Sequence, residues 1–288
     1  MSAASFSAAW LQQREPFDTA ARASAAGPLD EAASARALPR PGGVLRVIDL
    51  GAGTGANLRY LAPRLGGTQH WQVLDHDAAL LAAWPGLLAG WARSLGGRLL
   101  PSGDRLQVEA PGLRLTVDRR RVDLSRPPAP EAFEGIGLVT ASALLDLMSA
   151  ASLGALIDAG SARGVGWWFA LSIDGRFGWP EPDPDDALAE AAYARHQGGD
   201  KGFGPALGPQ APGFAAQRLA GHGYRLRQAA SDWRLDGAMR AAQVDGMAAA
   251  ASQARPDAAG RFEAWRLRRR AGAGVLAVGH QELVALRP

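Results

Sequence analysis

The stretch Val44 to Tyr60, VLRVIDLGAGTGANLRY, constrains the chain more than any other. An apolar run of strand length (Val44, Leu45, Val47, Ile48, Leu50) meets glycines at every second position, Gly51, Gly53 and Gly55. A helical pattern then begins, so the spacing predicts a strand, a tight turn and a helix start. Glycine is needed where the backbone takes positive φ or lies bare against a ligand, and a helix N-terminus beside such a turn offers unpaired N–H groups to an anion. The stretch therefore reads as a cradle for a small molecule. It does not name the ligand, because Gly51, Gly53 and Ala56 also satisfy the G-x-G-x-x-[GA] dinucleotide spacing.

Downstream, Ala56 to Leu65 predicts a helix and His70 to Leu74 a second strand, ending in Asp75, His76 and Asp77. Asp75 lies twenty residues beyond Gly55, about the separation that brings a second-strand carboxylate to a ribose. Asp77 reads as the N-cap of a helix from Ala78 to Leu95. LQVEA and LRLTVDRRRV, parted by Pro111 and Gly112, form a predicted hairpin whose second arm becomes a third sheet strand running to Asp123 and Leu124. Ile136 to Ala141 is the fourth strand, followed by Ser142, Asp146 and a helix from Ser152 to Ala159. Val165 to Ile173 is the fifth, ended by Asp174. Strands alternating with helices predict an α/β fold, a Rossmann-like three-layer sandwich with a mostly parallel sheet. Ligands of such sheets sit at the strands' C-terminal ends, where Gly51, Asp75, Asp123, Ser142 and Asp174 fall.

The flanks are less regular. Ser5 to Arg22 predicts a helix interrupted at Pro16, and Ala23 to Gly43 a helix with a lead-in loop. Arg14, Glu15, Asp18 and Arg22 are either a solvated face or part of a lid. After the fifth strand come a proline-rich turn from Trp179 to Pro184, a helix from Asp185 to His196, and a glycine and proline loop from Arg195 to Gly213. Loops of that length are usually functional or disordered. A substrate loop is the expectation here, with Asp200, Lys201 and Phe203 as its binding residues. Phe214 to Ala220 is a helix and Tyr224 to Leu235 a sixth strand. Two helices, Gly237 to Gln253 and Asp257 to Ala271, precede a last strand from Val275 to Leu286. The expected division within one structural domain is a helical lid over 1–43, a cofactor-binding core over 44–176, a substrate segment over 177–223, and final strands with a helical cap over 224–288.

Composition removes several chemistries. The absence of cysteine excludes a disulfide framework, a thiolate zinc site and a cysteine nucleophile, and no metal site is expected. The first fifteen residues lack the pattern of a signal peptide, and the apolar tracts are too short for a bilayer, so a cytoplasmic protein without a membrane partner is expected. Among 31 basic residues Lys201 is the only lysine, and the formal charge is +3. That charge is too small to imply nucleic acid, and arginine without lysine reflects a GC-rich genome. Arg119 to Arg121 read as a solvated edge, and Arg266, Arg268, Arg269 and Arg270 as cations at a helix C-terminus.

With DLGAGTG at Asp49 to Gly55, LDHD at Leu74 to Asp77, VDL at Val122 to Leu124 and LVTASALLDLM at Leu138 to Met148, the sequence resembles the class I S-adenosylmethionine-dependent methyltransferases, small-molecule type. The resemblance covers Leu45 to Ile173 well and the last two strands loosely. It implies seven strands, the last antiparallel and inserted beside the fifth. It implies S-adenosylmethionine as cofactor, with the turn of Asp49, Gly51, Ala52, Gly53 and Gly55 under its methionine and ribose. Asp75, with His76 beside it, would hold the ribose hydroxyls, and Asp123 and Leu124 the adenine. Ala141 and Ser142 would complete the cofactor site. The helices before the last strand and the long loop after the fifth depart from the minimal pattern, where substrate cover is built.

A sulfonium methyl is already activated, so alignment of donor and acceptor supplies most of the rate, up to ~7 to 11 kcal/mol. A base is needed only for an acceptor protonated at neutral pH; the candidates are His196 and Asp146. TASALLDL stands where an Asn-Pro-Pro-Tyr type motif would follow the fourth strand, which disfavours methylation of exocyclic base amines or glutamine amides. The expected partner is a small-molecule methyl acceptor. Alternatives are a nicotinamide oxidoreductase, opposed by the lack of a tyrosine four residues before Lys201; an RNA-directed methyltransferase; and a non-catalytic cofactor-binding protein.

Overall fold

The computed structural model describes residues 7–102, 105–126 and 128–288. In chain order the strands are β1 (Val44–Leu50), β2 (Gly67–Asp75), β3 (Arg98–Ser102), β4 (Arg105–Ala110), β5 (Leu113–Arg121), β6 (Leu138–Ser142), β7 (Gly166–Gly178), β8 (Arg225–Ala230), β9 (Trp233–Leu235) and β10 (Leu276–Leu286). The helices are α1 (Ala8–Leu29), α2 (Glu31–Ala37), α3 (Ala56–Leu65), α4 (Ala78–Ala82), α5 (Trp84–Ser94), α6 (Ala150–Ser161), α7 (Asp186–Gln197), α8 (Ala211–Gly221), α9 (Gly237–Ala254) and α10 (Ala259–Ala271).

All strands join one sheet in the order β3-β4-β5-β2-β1-β6-β7-β10-β8, with β9 also paired to β10. From β5 through β2, β1 and β6 to β7 the pairing is parallel. The antiparallel β10 lies between β7 and β8, continuous with the parallel block. That is the expected arrangement, with the predicted hairpin arm β4 pairing beyond β5, the unpredicted β3 beyond it, and the short β9 split from the expected sixth strand. The sheet has ten strands rather than seven.

Alternation along β7 assigns the two faces. Trp168 packs with Leu45, Val47, Trp71 and Val73 under Leu58, Leu61 and Trp84 of α3 and α5. Trp167 and Phe169 point the other way, with Ile48, Leu50 and Val139, under Leu153 and Leu156 of α6 and Leu219 of α8. A third group, Ala189 of α7, Val244 and Met247 of α9 and Phe262 and Trp265 of α10, forms the helical cap.

Four sequence expectations change. Helix α1 runs through Pro16 without a break; Gln12 and Pro16 are both exposed, so the carbonyl that proline leaves without a helical partner stands on the solvent side. The helix expected over Ala78 to Leu95 divides at Ala83, and Pro85 starts the second piece. The sixth strand divides at Ser231 and Asp232. The Ser231 amide still donates to His280 O (2.9 Å), and pairing with β10 resumes at Trp233. Strand β7 continues to Gly178, so Asp174 lies within it, held by Arg176 and Gln281, rather than at its end. No helix among the described residues is long and apolar enough to cross a membrane.

Candidate functional site

Between β1 and α3 the chain reverses through Gly51 (φ 63°), Gly53 (φ 51°) and Gly55 (φ 89°), all in the left-handed region that favours glycine. Sequence reasoning expected bare amides here. Instead the Ala52 amide donates to Leu74 O (3.1 Å), Gly53 to Asp75 Oδ2 (2.7 Å) and Gly55 to Ala52 O (2.9 Å). Side chains also stand against the turn. A Cβ on Gly51 would lie 3.1 Å from Leu144 Cδ1, on Gly53 3.2 Å from Leu11 Cδ1, and on Gly55 2.9 Å from the Trp84 ring. Trp84 Nε1 donates to Gly53 O at 2.8 Å. The turn takes the positive φ values its glycines allow, and the chain's own side chains pack against it.

Asp75 is buried, its second oxygen accepting from the Asp77 amide (2.8 Å). His76 is exposed, with Nδ1 3.4 Å from Asp75 Oδ1. Asp123 lies two residues past β5 and is exposed. Hydrogen bonds from the Ser125 hydroxyl, and then from its amide (2.9 Å to Oδ1), hold the Asp123 carboxyl below the usual range. Leu124 lines an apolar cavity of about 10 Å³ with Leu50, Leu144, Met148 and Leu156. Ala141 is buried at the end of β6, and Ser142 beside it is partly exposed. The glycine turn, Asp75, Ala141 and Ser142 thus share the C-terminal edge of β1, β2 and β6, with Leu144 between them.

Asp49 lies beneath the turn in a buried polar network. Its Oδ1 accepts from Asn57 Nδ2 (2.7 Å), which also reaches Thr140 Oγ1 (3.1 Å). Arg22 Nη1 donates to Asn57 Oδ1 (2.8 Å), while its Nε and Nη2 donate to Glu282 Oε1 (3.0 and 2.8 Å). Asp49 Oδ2 and the neighbouring Thr54 Oγ1 are buried without a partner. Burial raises the Asp49 carboxyl to about 7.

The remaining candidates fall elsewhere. Asp146 sits in a 3₁₀ turn just past β6, partly buried, and burial pushes its carboxyl up to about 6. His196, near the end of α7, pairs with Gln253 of α9 (3.1 Å), and burial lowers its pKa. Lys201 Nζ donates to His196 O (3.1 Å), and Asp200 Oδ1 accepts from the Gly202 and Gly204 amides (2.7 and 3.0 Å). Phe203 packs on the α6 face of the sheet. The structure brings Asp146 to the edge shared with the glycine turn and sets His196 and Lys201 at the end of α7, joined through His196 O, with Asp200 bonded within its own loop. Sequence reasoning missed Leu11, Trp84 and Leu144. Only the SALLDL stretch at the fourth strand's end placed one of them, Leu144, near the site.

No family model matches the chain, and no curated protein matches it in sequence. Solved structures do resemble it in shape. One is a cyclopropane-fatty-acyl-phospholipid synthase-like protein from Lactobacillus casei ATCC 334, at TM-score 0.55 and 16% identity, covering 99% of this chain and 96% of that one. Others are the cyclopropane synthase MmaA2 from Mycobacterium tuberculosis (TM-score 0.46, 11% identity, 89% and 82% covered) and an S-adenosylmethionine dependent methyltransferase from Mesorhizobium loti (0.38, 16%, 88% and 95%). With an antiparallel strand inserted beside the fifth parallel one, the chain has the Rossmann-like α/β fold that it shares with the Lactobacillus casei synthase-like protein.

Proposed function

We propose that the protein is an S-adenosylmethionine-dependent methyltransferase acting on a small-molecule acceptor. One observation carries the reading: the Asp75 carboxylate, at the end of the neighbouring strand, lies directly on the Gly53 amide within a three-glycine turn of positive φ. The residues fit this cofactor in their chemistry. Asp75 offers carboxylate oxygens to sugar hydroxyls, and Asp49 Oδ2 and Thr54 Oγ1 are partnerless polar atoms around the turn. They fit in space once the Leu11 and Leu144 side chains withdraw, and Leu11 stands on α1, four residues past its N-cap. Bound there, the cofactor supplies an activated sulfonium methyl. The chain's own work is to hold it by the turn and Asp75, to exclude water with α1, and to take a proton from the acceptor where one must be lost.

Calorimetric titration with S-adenosylhomocysteine tests the reading. Binding that Asp75→Ala or Gly53→Arg abolishes, in protein that still folds, supports it; unchanged affinity in both variants refutes the site. The filled turn favours one other reading, a protein that keeps the fold but binds no nucleoside. Absence of binding by the wild type and by Leu144→Ala would establish that alternative.

A further inference from the structure

Leu11 and Glu15 stand one helical turn apart on α1 and reach the same place. Leu11 Cδ1 lies 3.2 Å from where a Cβ on Gly53 would stand. Glu15 takes the Arg59 guanidinium at two points, Oε1 accepting from Nε (2.7 Å) and Oε2 from Nη2 (2.5 Å). Arg59 belongs to the first turn of α3, and its third nitrogen, Nη1, donates to Thr54 O (2.7 Å) within the glycine turn. The same nitrogen lies 3.2 Å from a Cβ built on Gly55. A guanidinium is thus fixed against the turn, and its carboxylate partner is carried on the helix that packs over it.

The fastening of α1 is uneven along its length. Past Pro16 it is held by buried groups: Arg22 donates to Glu282, and the Asp18 carboxylate accepts from Trp233 Nε1 (2.9 Å). Before Pro16, the one ion pair that leaves the helix among the described residues is Glu15 with Arg59, and the Glu15 side chain is 24% exposed. Pro16 has no N–H for the Gln12 carbonyl, so the helix ladder lacks a rung where the two halves meet. The planar guanidinium fork donates to any carboxylate in the same two-point geometry. A second carboxylate arriving at Arg59 therefore restores the two bonds that Glu15 gives up.

We propose that Ala8–Glu15 is a gate latched by Glu15 on Arg59, and that a carboxylate-bearing ligand of the glycine turn opens it by taking Glu15's place on Arg59 Nε and Nη2. The ligand's identity rests on the methyltransferase reading, since the amino-acid end of the cofactor supplies that carboxylate; the latch does not rest on it. Exchange of one carboxylate for another keeps the number of ionic bonds unchanged, whereas a ligand without a carboxylate breaks the latch with no replacement. Arg59 thus selects for an acidic group, and Glu15 sets the threshold for entry.

Calorimetric titrations with S-adenosylhomocysteine, which carries a carboxylate, and with 5′-methylthioadenosine, a nucleoside thioether without one, read both halves. Glu15→Gln removes the latch and should tighten both ligands about two- to fivefold, the effect of losing a partly exposed ion pair. Arg59→Gln also removes the latch, so 5′-methylthioadenosine should again tighten, but S-adenosylhomocysteine loses its receptor and should not gain. Glu15→Gln leaving both affinities unchanged or weaker, as a merely structural contact would, or Arg59→Gln shifting the two ligands alike, overturns the proposal. Amide hydrogen exchange of the ligand-free proteins tests the latch apart from the cofactor. Glu15→Gln should speed exchange at residues 11–15 and leave 22–29 as in wild type; unchanged exchange at 11–15 overturns the latch. Faster exchange there, with neither nucleoside binding any of the three proteins, supports the latch and removes the methyltransferase reading.

Discussion

Replacing Arg22 by methionine tests how firmly α1 is fastened over the site. Arg22 is 1% exposed and its partner Glu282 0%. The substitution removes three donated hydrogen bonds and the guanidinium stacked 4.0 Å from the centroid of the Tyr60 ring. Glu282 would keep only Trp168 Nε1 (2.8 Å), and Asn57 Oδ1 would lose its donor. Leaving one member of a buried pair uncompensated costs about 3 to 5 kcal/mol. For a chain of this size that lowers Tm by roughly 5 to 8 °C. The double variant Arg22→Met/Glu282→Met removes both charges and should be more stable than Arg22→Met alone, since an apolar replacement of a buried pair is often neutral. Urea denaturation followed by tryptophan fluorescence measures both. A loss below ~1 kcal/mol for Arg22→Met, or costs that simply add in the double variant, would refute the reasoning.

Gly55→Ala places a Cβ at φ 89° and 2.9 Å from Trp84, so strain and overpacking together should cost about 2 to 4 kcal/mol. Gly42→Ala, at φ 64° with open space, should cost about 1 to 2 kcal/mol; equal urea midpoints for the two would contradict the Trp84 contact. Asp49, raised to about 7 in the fold, gives stability that is complete below pH ~4 and lost as pH rises through 7. Asp49→Asn stays neutral, so from pH 4.5 to 7.5 it should gain on wild type by roughly 3 kcal/mol. A difference independent of pH would show that Asp49 does not titrate as described.

The core was legible because its signals are local. Apolar runs ending on glycine, aspartate or serine gave β1, β2, β6 and β7, and hairpin alternation around Pro111 and Gly112 gave β4 and β5. What the sequence concealed depends on distant partners. Nothing near Arg22 announces Glu282, 260 residues away, and nothing near Gly53 announces Leu11. Pro16 misled because a proline on the solvated side of a helix costs one carbonyl's bond, not the helix. Asp200 and Lys201 looked rich in chemistry because polar residues in a glycine loop resemble a site. In the structure they tie the loop to itself and to the end of α7. Asp75 was singled out by its spacing from Gly55 in a βαβ unit, and Asp49 by standing before the glycine motif of the resembled family; their bonds to Gly53 and Asn57 were not readable from spacing.

The central claim is that the turn at Gly51 to Gly55 receives an adenosyl ligand when Leu11 and Leu144 give way. Its most direct measurement is a calorimetric titration of S-adenosylhomocysteine into the wild type and into Leu144→Ala. The account predicts one site per chain, bound more tightly by Leu144→Ala because less apolar contact must be broken to admit the ligand. No heat from either protein, with both folded, would contradict it.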